Sequence, residues 1–364
     1  MKASMNKKRY FHTFDALRFL AVFLVFLTHA PLYGIPVVEY FKKSGGIGVQ
    51  FFFTLSGFLI TYIILFEKNK TGKINFKNFF IRRALRIWPL FYAMIAFAFA
   101  TPFILSFLGL NASGEGYVPN WLASCLFLEN YKMMFTDSFP NVSPLRVMWS
   151  LCIEEHFYLV WGILFYFIPI KKVPLAISIA IIVANLSRFY YISIGLATAD
   201  LFTNIDYFAF GAIPAYCLIA KDSVIAKLNQ VPGFIKYLVA IISLSYVFIS
   251  PNIYFLYQEF IDPWIFGGLF SLLVFFTLPK KNRLFISDYN PISKAGIYTY
   301  GIYLYHTIVI NLFLQLANKS QIDPAIPANG IVISILSLVV TIGISVASYH
   351  WFEKRFLKMK RYFY

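Results

Sequence analysis

Charge is scarce in this chain, and acidic charge is scarcer still. Of 364 residues only 13% are charged, with 16 Asp and Glu against 32 Lys and Arg. A water-soluble domain of this size has to cover its outside with far more polar surface, so an ordinary globular domain is excluded. Cysteine is nearly missing: Cys125, Cys152 and Cys217 are an odd number without metal-like spacing. That excludes a disulfide framework, and no metal site is expected. Internal repeats are absent, and linkers are short apart from two. A cleavable signal peptide is excluded as well. The start is basic, but the apolar run from Phe14 is too long, holds Asp15 and Arg18, and has no small-residue cleavage site after it.

What the chain has in excess is apolar surface: 59% hydrophobic and 20% aromatic residues, with a mean hydropathy of +0.68. Apolar runs of about 20 residues match a hydrocarbon core roughly 30 Å thick. Ten such runs lie near 14–33, 46–66, 85–108, 146–168, 173–192, 201–220, 233–250, 260–279, 295–316 and 329–350. The expected fold is all-α, a polytopic membrane helix bundle forming one domain over 1–364, with no appended soluble domain. The net charge of +16 reads as topology rather than as a nucleic-acid surface. With the N-terminus inside, most Lys and Arg fall on the inner side, including the basic tails 1–13 and 351–364. Only Lys42, Lys43, Lys132, Arg146, Arg188 and Lys319 fall in outer loops. That asymmetry follows the positive-inside rule and puts both termini in the cytoplasm. The inner segment 67–83 reads as amphipathic and lying along the membrane surface. The outer segment 109–145 holds WLASCLFLENY, which suits an interfacial helix.

Ionisable side chains inside membrane spans are costly and point to function. The first span carries Asp15, Arg18 and His29. Arg18 and His29 are three helical turns apart on nearly one face, about 16 Å along the axis, and Asp15 is one turn from Arg18. This makes a polar stripe that suits a passage, and it is equally compatible with a structural Asp15–Arg18 pair and an interior histidine. Arg18 would also suit an anionic lipid headgroup. Arg82, Arg83 and Arg86 open the third span. Arg83 and Arg86 share a face that suits phosphate, and stop-transfer arginines meeting lipid headgroups would look the same. Ser56, in the glycine-bearing second span, is a weak nucleophile candidate because no acid or base adjoins it in sequence. In MWSLCIEEHFYLVW, Ser150, Glu154 and Tyr158 line one face, Glu155 points about 100° away, and Trp149 stands at the outer end. Glu154 or Glu155 would orient His29, or instead neutralise a buried cation. His306, flanked by tyrosines in the ninth span, would line the same cavity or bond to a neighbouring helix. Glu353 would pair with an inner arginine.

Taken in order, these segments resemble the acyltransferase-3 family of bacterial integral-membrane O-acyltransferases, of the O-antigen acetylase type. FDALRFLAVFLVFLTH is similar to the family's opening Asp-Gly-Leu-Arg and histidine, with Ala16 in place of the usual glycine and Thr28 in place of an aromatic residue. GVQFFFTLSGFLIT, FFIRRALRIWPLFY, MWSLCIEEHFYLVW, YGIYLYH and WFEKRF resemble its later motifs, with His156 where glutamine is common. The resemblance implies transfer of an acyl group, usually acetyl, from acyl-CoA (acetyl-CoA) to a carbohydrate hydroxyl at the bacterial cytoplasmic (inner) membrane. Its expected partners are acyl-CoA, membrane lipids and a glycan or lipid-linked saccharide, with no nucleic acid. On this reading His29 is the acid–base residue, supported by Glu154, Glu155 and Asp15. Arg18, Arg82, Arg83 and Arg86 hold the CoA anion, while Ser56, Trp149, Ser150, Tyr158 and His306 border the substrates. A transporter or flippase using the same buried residues is the other class the residues allow.

Overall fold

The computed structural model describes residues 9–109 and 115–363. Lys7 and Lys8 of the expected inner tail lie outside them. Ten long helices dominate: α1 Thr13–His29, α2 Gly45–Thr71, α3 Phe76–Phe107, α4 Trp149–Phe167, α5 Val173–Ser193, α6 Leu201–Ala220, α7 Gly233–Ile249, α8 Gln258–Thr277, α9 Thr299–Lys319 and α10 Pro327–Ser348. Among the described residues there is no β-strand, only an isolated bridge between Tyr117 and Pro140. Each long helix falls on one of the expected spans. Among the described residues seven helical segments are long and apolar enough to cross a membrane, eight if α6 and the short helix bent 101° from it count as one. Helix α1 falls short with 17 residues, and α4 because Glu154, Glu155 and His156 dilute its apolar run. The chain is a multi-pass helical membrane protein.

The outer helices show how this sequence meets lipid. In α5, Leu175, Ile179, Ile182, Leu186 and Phe189 are exposed at alternating spacings of four and three residues, which makes one apolar stripe. The opposite stripe, Ile177, Ala180, Ala184 and Arg188, is buried. Helix α10 inverts the pattern of a soluble helix. Its buried face carries Ser334, Ser337, Thr341 and Ser345, while Val332, Ile335, Leu336 and Val339 are exposed. Small hydroxyl residues let helices approach where lipid competes for apolar contact.

Helix α2 is the axis of the bundle and packs closely against α6. A Cβ at Gly57 would collide with the backbone of Phe208, and one at Gly211 with the backbone of Thr54. Phe208 stacks on Phe53 of α2 (4.7 Å) and on Phe157 of α4 (4.0 Å), locking three helices together. Gly211→Val should therefore force the two backbones apart and cost about 3 kcal/mol or more. Thermal unfolding in detergent, monitored by circular dichroism, measures it; an unchanged midpoint would contradict the packing.

Four expectations are corrected. The segment 67–83 is not a surface helix: α2 runs on to Thr71, Gly72 turns the chain at φ +78, and α3 starts at Phe76, capped by Asn75. Lysines and an asparagine make those turns look like loop, yet α2 is anchored there by Lys68, whose Nζ donates to the carbonyls of Phe165 (2.8 Å) and Ile168 (2.5 Å) at the end of α4. The interfacial stretch forms two short helices, Trp121–Cys125 and Glu129–Thr136. Arg188 lies in no outer loop: it is inside α5 and buried. Finally, the C-terminal tail is docked. A wide helical turn over Tyr349–Glu353 leads into a helix at Lys354–Met359, and Arg82 Nη1 donates to the Phe363 carbonyl (2.5 Å).

Candidate active site

The N-terminal ends of α1, α3 and α9 and the C-terminal ends of α2 and α10 meet at one end of the bundle. Between them opens a vestibule of about 320 Å³. Arg9, Arg18, Arg82, Arg83, Arg86 and Lys360 line it against only two carboxylates, Asp15 and Glu353. Such an excess of positive charge in a concave, low-dielectric site attracts anions. Asp15 bonds Arg18 Nη1 at 2.6 Å, the i,i+3 pair expected from sequence, and accepts a second bond from the Tyr10 hydroxyl (2.8 Å). Loss of hydration and that bond push the Tyr10 hydroxyl up to about 12, so it stays a donor. Arg82 is already engaged, with Glu67 at 3.2 Å and with the tail. Its role is to fasten α3 to α2, and it is the least available of the three α3 arginines. Arg83 leans over the Phe79 ring (6.0 Å). Arg86 is exposed, with no carboxylate within 4 Å among the described residues. The wide turn after α10 puts both Tyr349 and Glu353 on the vestibule wall, and Glu353 accepts from Ser348 Oγ (3.3 Å).

Arg18, Leu59, Arg83, Arg86 and Tyr300 also border a second, narrower cavity of about 110 Å³ deeper in the bundle. Here the predicted face of α4 appears as drawn from the sequence: Ser150, Glu154 and Tyr158 all line the cavity. Glu154 accepts from Ser56 Oγ and from the Tyr158 hydroxyl, each at 2.9 Å. Ser56 thus donates to the Glu154 carboxylate, an acid–base neighbour that the adjoining sequence does not supply. Glu155 points elsewhere, as expected, and accepts from Trp88 Nε1 (3.2 Å). The far end of the cavity is closed by Tyr303. Its hydroxyl bonds Ser150 Oγ (2.5 Å) and donates to the Val147 carbonyl (2.9 Å).

His29 is not on the cavity wall. It is the last residue of α1, exposed at the opposite end of the bundle from the vestibule. Neither Glu154 nor Glu155 hydrogen bonds it, which corrects the expected carboxylate–histidine pairing: Glu154 is held by Ser56 and Tyr158, and Glu155 by Trp88. The partner of His29 is His306, with His306 Nε2 3.3 Å from His29 Nδ1. The protons can be placed by logic, since a carbonyl oxygen only accepts. His29 Nδ1 contacts the Val25 carbonyl (2.9 Å) and His306 Nδ1 the Tyr303 carbonyl (2.6 Å), so each Nδ1 carries a proton. His306 Nε2, bearing no proton, then shares the one His29 Nδ1 proton with the Val25 carbonyl, and His29 Nε2 is left with its lone pair free. That is the state a general base requires. Tyr303 joins the two regions, since it lines the cavity with its hydroxyl and holds His306 with its backbone.

Trp149 departs from the expected site. It faces a separate basin at the His29 end of the bundle, together with Gln50 and Arg188. Tyr303, Tyr300, Trp88 and Arg188 escaped the sequence reading. For Arg188 a signal existed: it and Asp206 are two opposite charges in neighbouring apolar helices, and they form a buried pair at 2.5 Å. Removing either partner of such a pair costs roughly 3–5 kcal/mol. Among the described residues no group of His, Cys, Asp or Glu is placed to hold a metal ion.

Comparison with known proteins adds a second line of observation. The profile of an acyltransferase domain family, acyltransferase 3, matches residues 11–350. The peptidoglycan O-acetyltransferase OatA of Listeria monocytogenes is 29% identical over 344 residues, which cover 88% of this chain and 52% of that protein. A Bacillus subtilis protein, provisionally named a peptidoglycan O-acetyltransferase, is 27% identical over 369 residues, or 95% of this chain and 55% of its own length. The chain thus spans about half the length of the curated relatives it matches. No solved structure matches it.

Proposed function

The chain belongs to the acyltransferase 3 family, and from that premise we propose that it is a membrane O-acyltransferase. The reaction moves an acyl group, acetyl first, from cytosolic acyl-CoA to a hydroxyl of a surface or exported glycan. The bundle sits in the bacterial cytoplasmic membrane with both termini inside. The observation that carries this reading is the pairing of a cation-rich vestibule with a narrow polar cavity behind it. A phosphate-bearing head fits the first, and a thin acyl-bearing arm fits the second. Names of relatives point the same way, toward O-acetylation and toward peptidoglycan as the class of acceptor.

On this proposal the phosphates of acyl-CoA rest on Arg86, Arg83 and Arg18, and the arm passes Ser56 and Glu154 toward Tyr303. The acceptor hydroxyl arrives from the opposite end. His29 Nε2 takes its proton as the oxygen attacks the thioester carbonyl. The C–S bond breaks, the acyl ester forms, and the CoA sulfur leaves as a thiolate that takes up the proton. His306 steadies the imidazole through the Nδ1 side and is a positioning residue. Glu154 holds Tyr158 and Ser56 along the arm's path.

The test is direct. Purified protein in nanodiscs, given radiolabelled acetyl-CoA and peptidoglycan fragments or other bacterial glycans, is expected to place label on the glycan with release of CoA. Absence of both label and released CoA across the acceptor panel would overturn the reading.

A further inference from the structure

We infer that the basin beside Trp149 is a binding site for an uncharged saccharide, with Arg188 Nη1 and Gln50 Oε1 as its recognition pair. The basin, of about 790 Å³, lies where the ends of α4, α5, α6, α7 and α8 meet, opposite the vestibule. Its size falls in the range of roughly 300–1,000 Å³ typical of small-molecule sites.

Two unspent polar atoms carry the inference. Arg188 is 4% exposed, and its Nη2 is committed to Asp206. Its Nη1 has no partner among the described residues, although the side chain borders the basin. Gln50 Oε1, on the facing helix α2, is likewise buried without a partner and borders the same basin. A buried donor and a buried acceptor left open are costly unless a ligand supplies the complement. Several other polar groups of the wall have partners within the protein, among them Thr203, Asn204, Ser250 and Gln258. Asp262, for example, accepts from Tyr246 and Ser250, each at 2.5 Å, and from Gln258 at 2.9 Å.

The charge balance names the class of ligand. Lys43 and Arg188 line the basin against Glu259 and Asp262, and Arg188 is already neutralised by Asp206. This contrasts with the six cations against two carboxylates in the vestibule. An anion gains nothing here. A molecule with hydroxyl and amide groups gains a donor and an acceptor, while its C–H faces meet exposed aromatic rings at Tyr254 and Tyr257. A neutral, N-acetylated sugar chain has that chemistry. Val49 and Phe53 of α2 line both this basin and the inner cavity, so a saccharide bound here lies one helix away from the arm's path. The choice of a saccharide rests on the glycan-acylation reading, and the site's geometry does not.

The probe is tetra-N-acetylchitotetraose, titrated without donor against the full chain in nanodiscs and read by saturation-transfer NMR. Acetyl-CoA binding is measured in parallel. Arg188→Lys keeps the charge opposite Asp206 and removes the second N–H; Gln50→Leu removes the acceptor without touching the ion pair. Each is expected to weaken tetrasaccharide binding about tenfold and to leave acetyl-CoA affinity unchanged. A wild-type chain that does not bind the tetrasaccharide, or two variants that bind it as the wild type does, would overturn the site. A wild-type chain that binds the sugar but neither binds nor consumes acetyl-CoA would remove the transferase reading and leave this site standing.

Discussion

A His29→Ala chain is expected to fold, to bind acetyl-CoA as the wild type does, and to transfer acetyl groups about 10²–10⁴-fold more slowly, the usual contribution of a positioned acid–base residue. The expectation rests on proton placement. The Val25 and Tyr303 carbonyls fix one proton on each Nδ1, so His29 alone of the pair presents a free lone pair to the open end of the bundle. His306 is buried behind it and points its own Nε2 back at His29. A graded outcome follows within the same experiment. His306→Gln offers a carbonyl oxygen to His29 Nδ1 and should retain more activity than His306→Leu, which offers nothing. Initial rates with saturating acetyl-CoA decide the matter. A His29→Ala protein with wild-type rates removes the histidine from the chemistry.

The second large effect is expected on donor binding. Arg86→Ala should raise the Kd for acetyl-CoA between about tenfold and a hundredfold, the loss of charge-assisted hydrogen bonds to phosphate. The loss should shrink as salt is added, since a vestibule open to solvent is screened. Arg82→Ala makes the contrast. Its guanidinium is tied to Glu67 and to the Phe363 carbonyl, so its removal should lower thermal stability and leave the Kd nearly unchanged. Isothermal titration with both variants separates the roles. Equal Kd values for Arg86→Ala and wild type would refute the vestibule as the donor site.

How far the sequence reaches is visible in particular residues. Apolar runs located all ten long helices because lipid demands them, and one-face arithmetic on α4 set Glu154 beside Tyr158 and apart from Glu155. The Asp15–Arg18 pair was readable for the same reason, being local to one helix turn. Helix ends were less legible. Helix α3 begins at Phe76 rather than near 85 because Lys77 and Asn78 look like loop although they occupy a helical turn at the bundle's polar rim. What periodicity cannot supply is the partner on another helix. Trp88 for Glu155, Asp206 for Arg188 and His306 for His29 are separated by 67, 18 and 277 residues. Only packing decides such pairs. The sequence marks His306 as a histidine within a span, and only the fold sets its ring against His29.

The hydroxyl of Tyr303 has a consequence for the cell as well as for the reaction. A string of polar side chains from one end of a membrane bundle to the other is also a conduit for protons and small ions, and it would drain the potential that a bacterial membrane maintains. Tyr303, its hydroxyl held by Ser150 and Val147, stands in that string between the glutamate cavity and the two histidines. On the proposed reaction, an acyl group handed across this point has to loosen those bonds, so the side chain that holds the string closed would have to yield at each turnover.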